Sequence, residues 1–387
     1  MTQTHRTFAC RGMVLAALAT VAIVATSGQR GLAEQQGQQQ SGASTFRLLT
    51  FEAGGSGPRM GMTRGNGDEE IIDIHNAVLY LLRNNAPEVK SLSPIPIDMR
   101  SLVEAGPAPI AAIKSLYQTM TTLKTSGKFR EPGEMHRVFH PPSGVRYLPP
   151  ILNPSKIFGL AGNYIRRTPD GKPGAYDDAE YPSAFLKPPT TLTGHNAEIN
   201  LEGLLTTGVH EPEMAIVIGK TATNVPEASA MDYVMGYTIL NDVSSRDLKQ
   251  GQHNSQGSTI SKGLDTFAPT GPYITLKEDV PNPHNLAIVG IVNGKPWPIP
   301  NANTSFLTFT VPQMIAYFSE RVTLVPGDII ATGVPGPVMV FQVGDVVELT
   351  IGHLGTLRNT VVSKPVPGHK FFPPRSVAPM PTRTSSH

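Results

Sequence analysis

The sequence predicts a mainly β fold with some α, a β-sandwich or rolled sheet preceded by a small α+β region. Three observations predict it. Apolar runs of about four to eight residues recur through the second half, most of them bounded by turn residues. Proline and glycine number 36 and 37 in 387 residues, which favours short strands and many turns over long helices. Hydrophobic residues make up 39% and charged residues 16%, a balance suited to burying a core and not to disorder.

The N-terminus stands outside that fold. His5, Arg6 and Arg11 give a positive start, and Met13 to Thr26 is uncharged and mostly apolar. Small residues follow, with Ala25-Thr26-Ser27 and Gly31-Leu32-Ala33 as candidate cleavage sites. Residues 1–33 thus carry the pattern of a secretory signal peptide. The alternative is an uncleaved membrane anchor, but the apolar stretch falls short of the ~20 residues that span a bilayer. Export to the periplasm or beyond is therefore expected, with no stable membrane insertion after cleavage. Cys10, the only cysteine, lies in this segment, so the mature chain would hold no thiol. Residues 34–44 (EQQGQQQSGAS) are polar and of low complexity and read as a linker.

Residues 45–150 read as a small N-terminal domain. FRLLTFEA and MGMTRG are strands around a glycine-rich turn. Ile113, Leu116, Tyr117, Met120 and Leu123 recur at offsets of three and four and give one apolar helical face. His75, His136 and His140 occur singly, as structural histidines do.

Residues 151–365 are strand-rich. KIFGLAG, EMAIVIGK, VMGYTILND, PYITL, LAIVGIVNG, DIIATG and VVELTIG are candidate strands. VPQMIAYFSE reads as a helix, with Thr310 as its N-cap and Pro312 in its first turn. Residues 366–387 form a proline-rich tail. No GxGxxG, GxxxxGKS or GxSxG is present, and no Cys/His spacing suits zinc. Net charge is +2 and the basic residues are scattered, so no basic stripe points to nucleic acid.

One stretch departs from the apolar pattern. GVHEPEMAIVIGK sets Glu211 and Glu213 at the mouth of a buried run. In a strand, residues two apart share a face, which puts these carboxylates roughly 7 Å apart at the backbone. Like charges so close repel unless a cation lies between them. Pro212, lacking an N–H, marks a strand start or a sheet edge. Asp242 directly follows another apolar strand. Three carboxylates converging from two strands make an oxygen-only site suited to Mg²⁺ or Mn²⁺. The other reading is three acids facing solvent at strand ends.

KIFGLAGNY, FLKPPTTLTG with Lys187, HEPEMAIVIGK, YVMGYTILNDVSSRDL, SKGLDTFAPTGPYI, VNGKPW, TLVPGDIIATGVPG and VGDVVELTIGHLGTLRNTVV follow one another over about 200 residues. Together they resemble the fumarylacetoacetate hydrolase family. The resemblance implies a mixed β-sandwich roll, usually dimeric, with Mg²⁺ or Mn²⁺ at its mouth, held by Glu211, Glu213 and Asp242. It makes Lys262 and Arg246 the catalytic cations beside the metal. It places Thr266, Lys249 and Thr332 at substrate-contacting positions. The implied substrates are small oxo or 1,3-dicarbonyl acids, with metal as Lewis acid.

The family's lid supplies a histidine and a glutamate as the base for water. Here Arg167 stands at the histidine position and Asp170 at the glutamate position. Arginine stays protonated and cannot act as a base. Arg167 would suit a substrate carboxylate instead. Lys249 replaces a common glutamine, Val334 replaces a threonine, and His253 and His195 are alternative bases. The resulting expectation is an exported hydrolase of C–C bonds in a dicarbonyl acid. The alternatives are an oxo-acid decarboxylase, an enol–keto isomerase, or a metal-containing binding protein without turnover.

Overall fold

A computed structural model of the chain describes residues 45–65, 70–129, 132–165, 179–202, 205–245, 257–299 and 301–366. The first block contains β1 (Phe46–Glu52), β2 (Arg59–Arg64), β3 (Ile71–Asp73), β4 (Phe139–His140) and β5 (Arg146–Leu148). Between β3 and β4 lie the helices Ile74–Arg83, Met99–Ala105, Pro107–Thr125 and Pro132–Val138. The second block opens with β6 (Ile157–Ala161), β7 (Ser183–Lys187), β8 (Leu192–Thr193), β9 (Glu198–Asn200) and β10 (Thr207–His210). β11 (Pro212–Ile218), β12 (Val234–Asn241), β13 (Ser244–Ser245) and β14 (Ala268–Leu276) follow, with the short helix Gly257–Lys262 before β14. β15 (Ile288–Val292), β16 (Lys295–Pro296), the helix Val311–Arg321, β17 (Ile329–Ala331), β18 (Met339–Gln342), β19 (Val346–Ile351) and β20 (Gly355–Val362) complete it. Mainly β structure with some α is what the short apolar runs predicted.

The strands form one 12-stranded sheet, with the path β4-β3-β2-β1-β14-β12-β11-β17-β6-β7, and smaller sheets of three and five strands. β11 explains why its sequence is a continuous apolar run. It lies between β12 and β17 and is buried along its whole length. Ala215 and Val217 enter one core, while Met214, Ile216 and Ile218 enter another on the opposite face. Each such side chain gains about 1.5–3 kcal/mol on burial. The second core also takes Leu349, Ile351 and Leu357 from the five-stranded sheet, which makes the two-layered roll. It is closed by Val311, Met314, Ile315 and Phe318 of the helix Val311–Arg321. That helix starts where expected, at a full capping box between Thr310 and Gln313.

The expected division at residue 150 separates two stretches of chain that share one sheet and one core. β1 pairs antiparallel with β14, Leu48 opposite Ile274, and so satisfies backbone that would otherwise form an open edge. Phe46 and Leu48 pack in one cluster with Ala215, Leu240 and Ile274. β7, β10 and β20 were not foreseen as strands. Residues 1–44 and most of the tail lie outside the described residues, and no helix among those described is long and apolar enough to cross a membrane.

One half-buried and one buried histidine, His195 and His210, set an acid limit on this fold. Burial lowers the pKa of His195 to about 4, helped by the Arg358 charge, and burial lowers His210 to about 4. The folded values lie below the ordinary 6.5, so the unfolded chain takes up protons first as pH falls. Their stabilising contribution is complete above pH ~6.5, declines between 6.5 and 4, and is lost below 4. His195→Gln should flatten that decline by at most about 3 kcal/mol. Urea unfolding at pH 7 and pH 4.5 measures it; an unchanged slope in the variant would refute the assignment.

Candidate metal centre

The register of β11 and β12 builds the site. Pro212 opens β11 and faces Asn241, the last residue of β12. Glu211 and Asp242, one step beyond each end, are therefore neighbours, and the Asp242 N–H donates to the Glu211 carbonyl at 3.0 Å. The Asn241 side chain closes the break before β11 by accepting the Glu211 N–H at 3.0 Å. Proline is tolerated at this strand start inside a sheet because no ladder donor is required there. One carboxylate oxygen each from Glu211, Glu213 and Asp242 lie within 4.8 Å of one another. All three residues are buried, which removes the reading of acids facing solvent.

Two lysines meet these acids. Lys262 Nζ lies 2.8 Å from Glu211 Oε2 and also pairs with Asp242 Oδ2. Lys187 Nζ lies 2.7 Å from Asp242 Oδ1 and donates to the carbonyls of Lys262 (2.6 Å) and Val243 (3.2 Å). The Ser244 hydroxyl donates to Glu211 Oε1 at 3.2 Å. Both lysines pair with Asp242 or Glu211, and among the described residues no ion pair reaches Glu213. Its Oε2 accepts the Gly333 N–H at 2.7 Å, whereas its buried Oε1 has no hydrogen-bond partner among the described residues. Gly333 reaches that position at φ +88°, where a side chain would be strained and would crowd the Leu160 carbonyl.

The pKa shifts do not share one direction: burial outweighs the Asp242 charge and brings the Lys187 pKa down. Burial, then the charges of Asp242 and Glu211, hold Glu213 well above the usual carboxylate range. Burial opposes ionisation of Asp242, but Lys187 and Lys262 outweigh it and bring its pKa down. Burial likewise disfavours charge on Lys262, yet Asp242 and Glu211 raise its pKa. An all-oxygen donor set with one unpartnered buried oxygen, on a carboxyl that a nearby cation would return to its charged form, fits a hard divalent cation such as Mg²⁺ or Mn²⁺.

The remaining sequence candidates divide. Lys262 is at the cluster as expected. Arg246, Lys249, Arg167, Asp170 and His253 lie outside the described residues. Two threonines expected at substrate-contacting positions make hydrogen bonds to the backbone. Thr266 Oγ1 accepts the Asn200 N–H at 2.8 Å. Thr332, fully buried, donates to the Met214 carbonyl at 2.9 Å, with Tyr164 Oη at 3.4 Å. His195 is structural: its Nδ1 accepts the Arg358 N–H at 3.1 Å and its ring meets Tyr147 edge-on.

Lys187 and Phe185 carry more of the site than their sequence context showed. They are two apart on β7 and share a face, so Lys187 reaches Asp242 while the Phe185 ring lies 5.0 Å from Lys262 Nζ. That alternation was the available signal. Lys187→Met keeps the volume but breaks a fully buried ion pair, so stability should fall by about 3–5 kcal/mol. Denaturant unfolding tests this, and a loss under 1 kcal/mol would show that Lys262 alone compensates Asp242.

Comparison with known proteins agrees with this architecture. The model of the fumarylacetoacetate (FAA) hydrolase C-terminal family matches residues 156–362. A mitochondrial oxaloacetate tautomerase of Xenopus laevis is 32% identical over 331 residues, covering 84% of this chain and 92% of the relative. The crystal structure of 2-hydroxyhepta-2,4-diene-1,7-dioate isomerase from Mycobacterium marinum is similar with a TM-score of 0.59 at 29% identity, over 83% of this chain and 99% of that one. Maleylpyruvate hydrolase from Sphingobium sp. SYK-6, solved with manganese(II) and pyruvate, matches with a TM-score of 0.58 at 28% identity, over 82% and 99% of the two chains. The match spans both sequence blocks, and it extends to the sheet that carries the three carboxylates: this chain belongs to the fumarylacetoacetate hydrolase family.

Proposed function

We propose that the chain is a divalent-metal-dependent enzyme that interconverts the keto and enol forms of a small oxo dicarboxylic acid of the oxaloacetate kind. The observation that carries this reading is the buried Glu211–Glu213–Asp242 cluster with its unpartnered Glu213 oxygen. A bound Mg²⁺ or Mn²⁺ would supply Lewis-acid stabilisation of negative charge developing on substrate oxygens. Lys262, held beside the cluster, offers its ammonium to the same anionic substrate. The Phe185 ring lies 5.0 Å from that ammonium, within reach of a cation–π contact. Tautomerisation moves one proton between carbon and oxygen and needs no activated water, which suits a lid bearing Arg167 in place of the family's histidine. The tautomerase relative supports this choice.

Hydrolysis of a C–C bond is the second reading, favoured by the likeness to maleylpyruvate hydrolase. Assays of oxaloacetate tautomerisation and acylpyruvate hydrolysis, each with and without Mg²⁺, separate the two. The proposal expects metal-dependent tautomerisation that Glu213→Gln abolishes. Metal binding without either turnover would identify a binding protein.

We also propose that the protein is exported, on the strength of the positive start, the apolar Met13–Thr26 stretch and the small residues after it. N-terminal sequencing of the native protein should find a first residue within 28–35. A cytosolic chain retaining Met13 to Thr26 would reject export.

A further inference from the structure

The first block contains a cavity of about 520 Å³ to which no residue of the carboxylate cluster contributes. Its wall is mainly apolar: Met60 of β2, Ile74 and Val78 of the helix Ile74–Arg83, and Val89, Leu92 and Ile95 of the segment that follows. Val78, Val89, Leu92 and Ile95 pack against the main core while remaining only half-buried. The segment Leu92–Ile97 (LSPIPI) has no regular structure. Pro94 and Pro96, which also line the cavity, each fix one backbone angle of this segment and narrow its freedom. A second cavity of about 200 Å³ shares Pro58, Arg59, Met60 and Ile97 with the first.

Arg59 gives the pair of cavities a polar centre. Its Nη1 is held by Asp73 Oδ2 at 2.9 Å, and the other Asp73 oxygen caps the helix through the Asn76 N–H at 2.9 Å. The guanidinium is thereby fixed along one edge. Its remaining N–H groups have no partner among the described residues, and its side chain keeps 27% exposure. Small-molecule sites typically have volumes of about 300–1,000 Å³, apolar walls and a few placed polar groups. A fixed guanidinium edge matches a carboxylate through two parallel hydrogen bonds. A wholly apolar ligand would strip water from that edge and give nothing in return.

We infer that this cavity binds a small amphipathic carboxylic acid, its apolar chain against Met60, Val78 and Ile95 and its carboxylate on the free edge of Arg59. The site is independent of the metal cluster and of the activity proposed for it.

Calorimetric titration of the full chain with octanoate, and with 1-octanol as its neutral counterpart, tests this. Octanoate should bind saturably and about tenfold more tightly than 1-octanol. Arg59→Gln should remove that preference. Val78→Trp, which fills the cavity, should weaken both ligands by about tenfold or more. Ile97→Glu alters a rim side chain that is 77% exposed, and should weaken octanoate alone even if the filled variant does not fold. Glu213→Gln should leave octanoate binding unchanged. Absence of saturable binding, equal affinity for the two ligands, or indifference to Ile97→Glu would overturn the inference. Loss of octanoate binding in Glu213→Gln would do so as well, by placing the ligand at the carboxylate cluster.

Discussion

Saturating Mg²⁺ should raise the melting temperature of this protein, and Glu213→Gln should abolish most of that rise. A ligand at 100 times its Kd stabilises the folded state by about 2.7 kcal/mol. The variant keeps the shape of the side chain, and its amide oxygen can still accept the Gly333 N–H. It removes the carboxyl that pairs with neither lysine and that a cation would ionise. Without metal the variant should therefore melt close to the parent, because burial and the neighbouring acids favour the neutral form of Glu213, which the amide resembles. With metal it should gain little. Thermal melts of both proteins over a Mg²⁺ series, with Mn²⁺ in parallel, give the answer. Equal metal-induced shifts would remove Glu213 from the site. A large drop in the metal-free variant would show that its charge is needed for the fold.

Replacing the lid pair should change the reaction. With Arg167 in place of histidine, that position lacks a group that can take a proton from water near neutral pH. Loss of a general base costs a factor of about 10²–10⁴ in rate. The parent should hydrolyse acylpyruvates weakly or not at all, while retaining metal-dependent tautomerisation. The double variant Arg167→His, Asp170→Glu should then gain acylpyruvate hydrolysis. The measurement is kcat/KM with Mg²⁺ for both proteins and both reactions. Fast hydrolysis by the parent would show that another group, such as His253, serves as the base. A double variant without any gain would show that the lid pair does not limit hydrolysis.

Much of this was legible because it is local. The i, i+2 alternation put Glu211 and Glu213 on one side of Pro212, and the apolar runs beside them located β11 and β12 almost to the residue. Thr310, Pro312 and the apolar spacing after them gave the helix Val311–Arg321 its start and its buried face. The ordered motifs gave the family. The backbone partners of Thr266 and Thr332 were not legible, because a hydroxyl's partner is set by which backbone group folds against it, and those partners lie 66 and 118 residues away.

By itself, the sequence determined the strand-rich class, the family and the three acids. Those depend on near-neighbour periodicity and on residue order. Tertiary structure decided how the acids are used. Antiparallel pairing of β11 with β12 joined residues 211 and 242, the face of β7 brought in Lys187, and the turn at Gly333 supplied its N–H. Charge balance is a sum over groups far apart in the chain and close in space. Only the folded arrangement shows that two lysines pair with Glu211 and Asp242 while Glu213 keeps a buried oxygen without a hydrogen-bond partner among the described residues. The joining of β1 to β14 is of the same kind, since a strand's sequence gives its faces while its partner is chosen by whichever edge the rest of the fold leaves open.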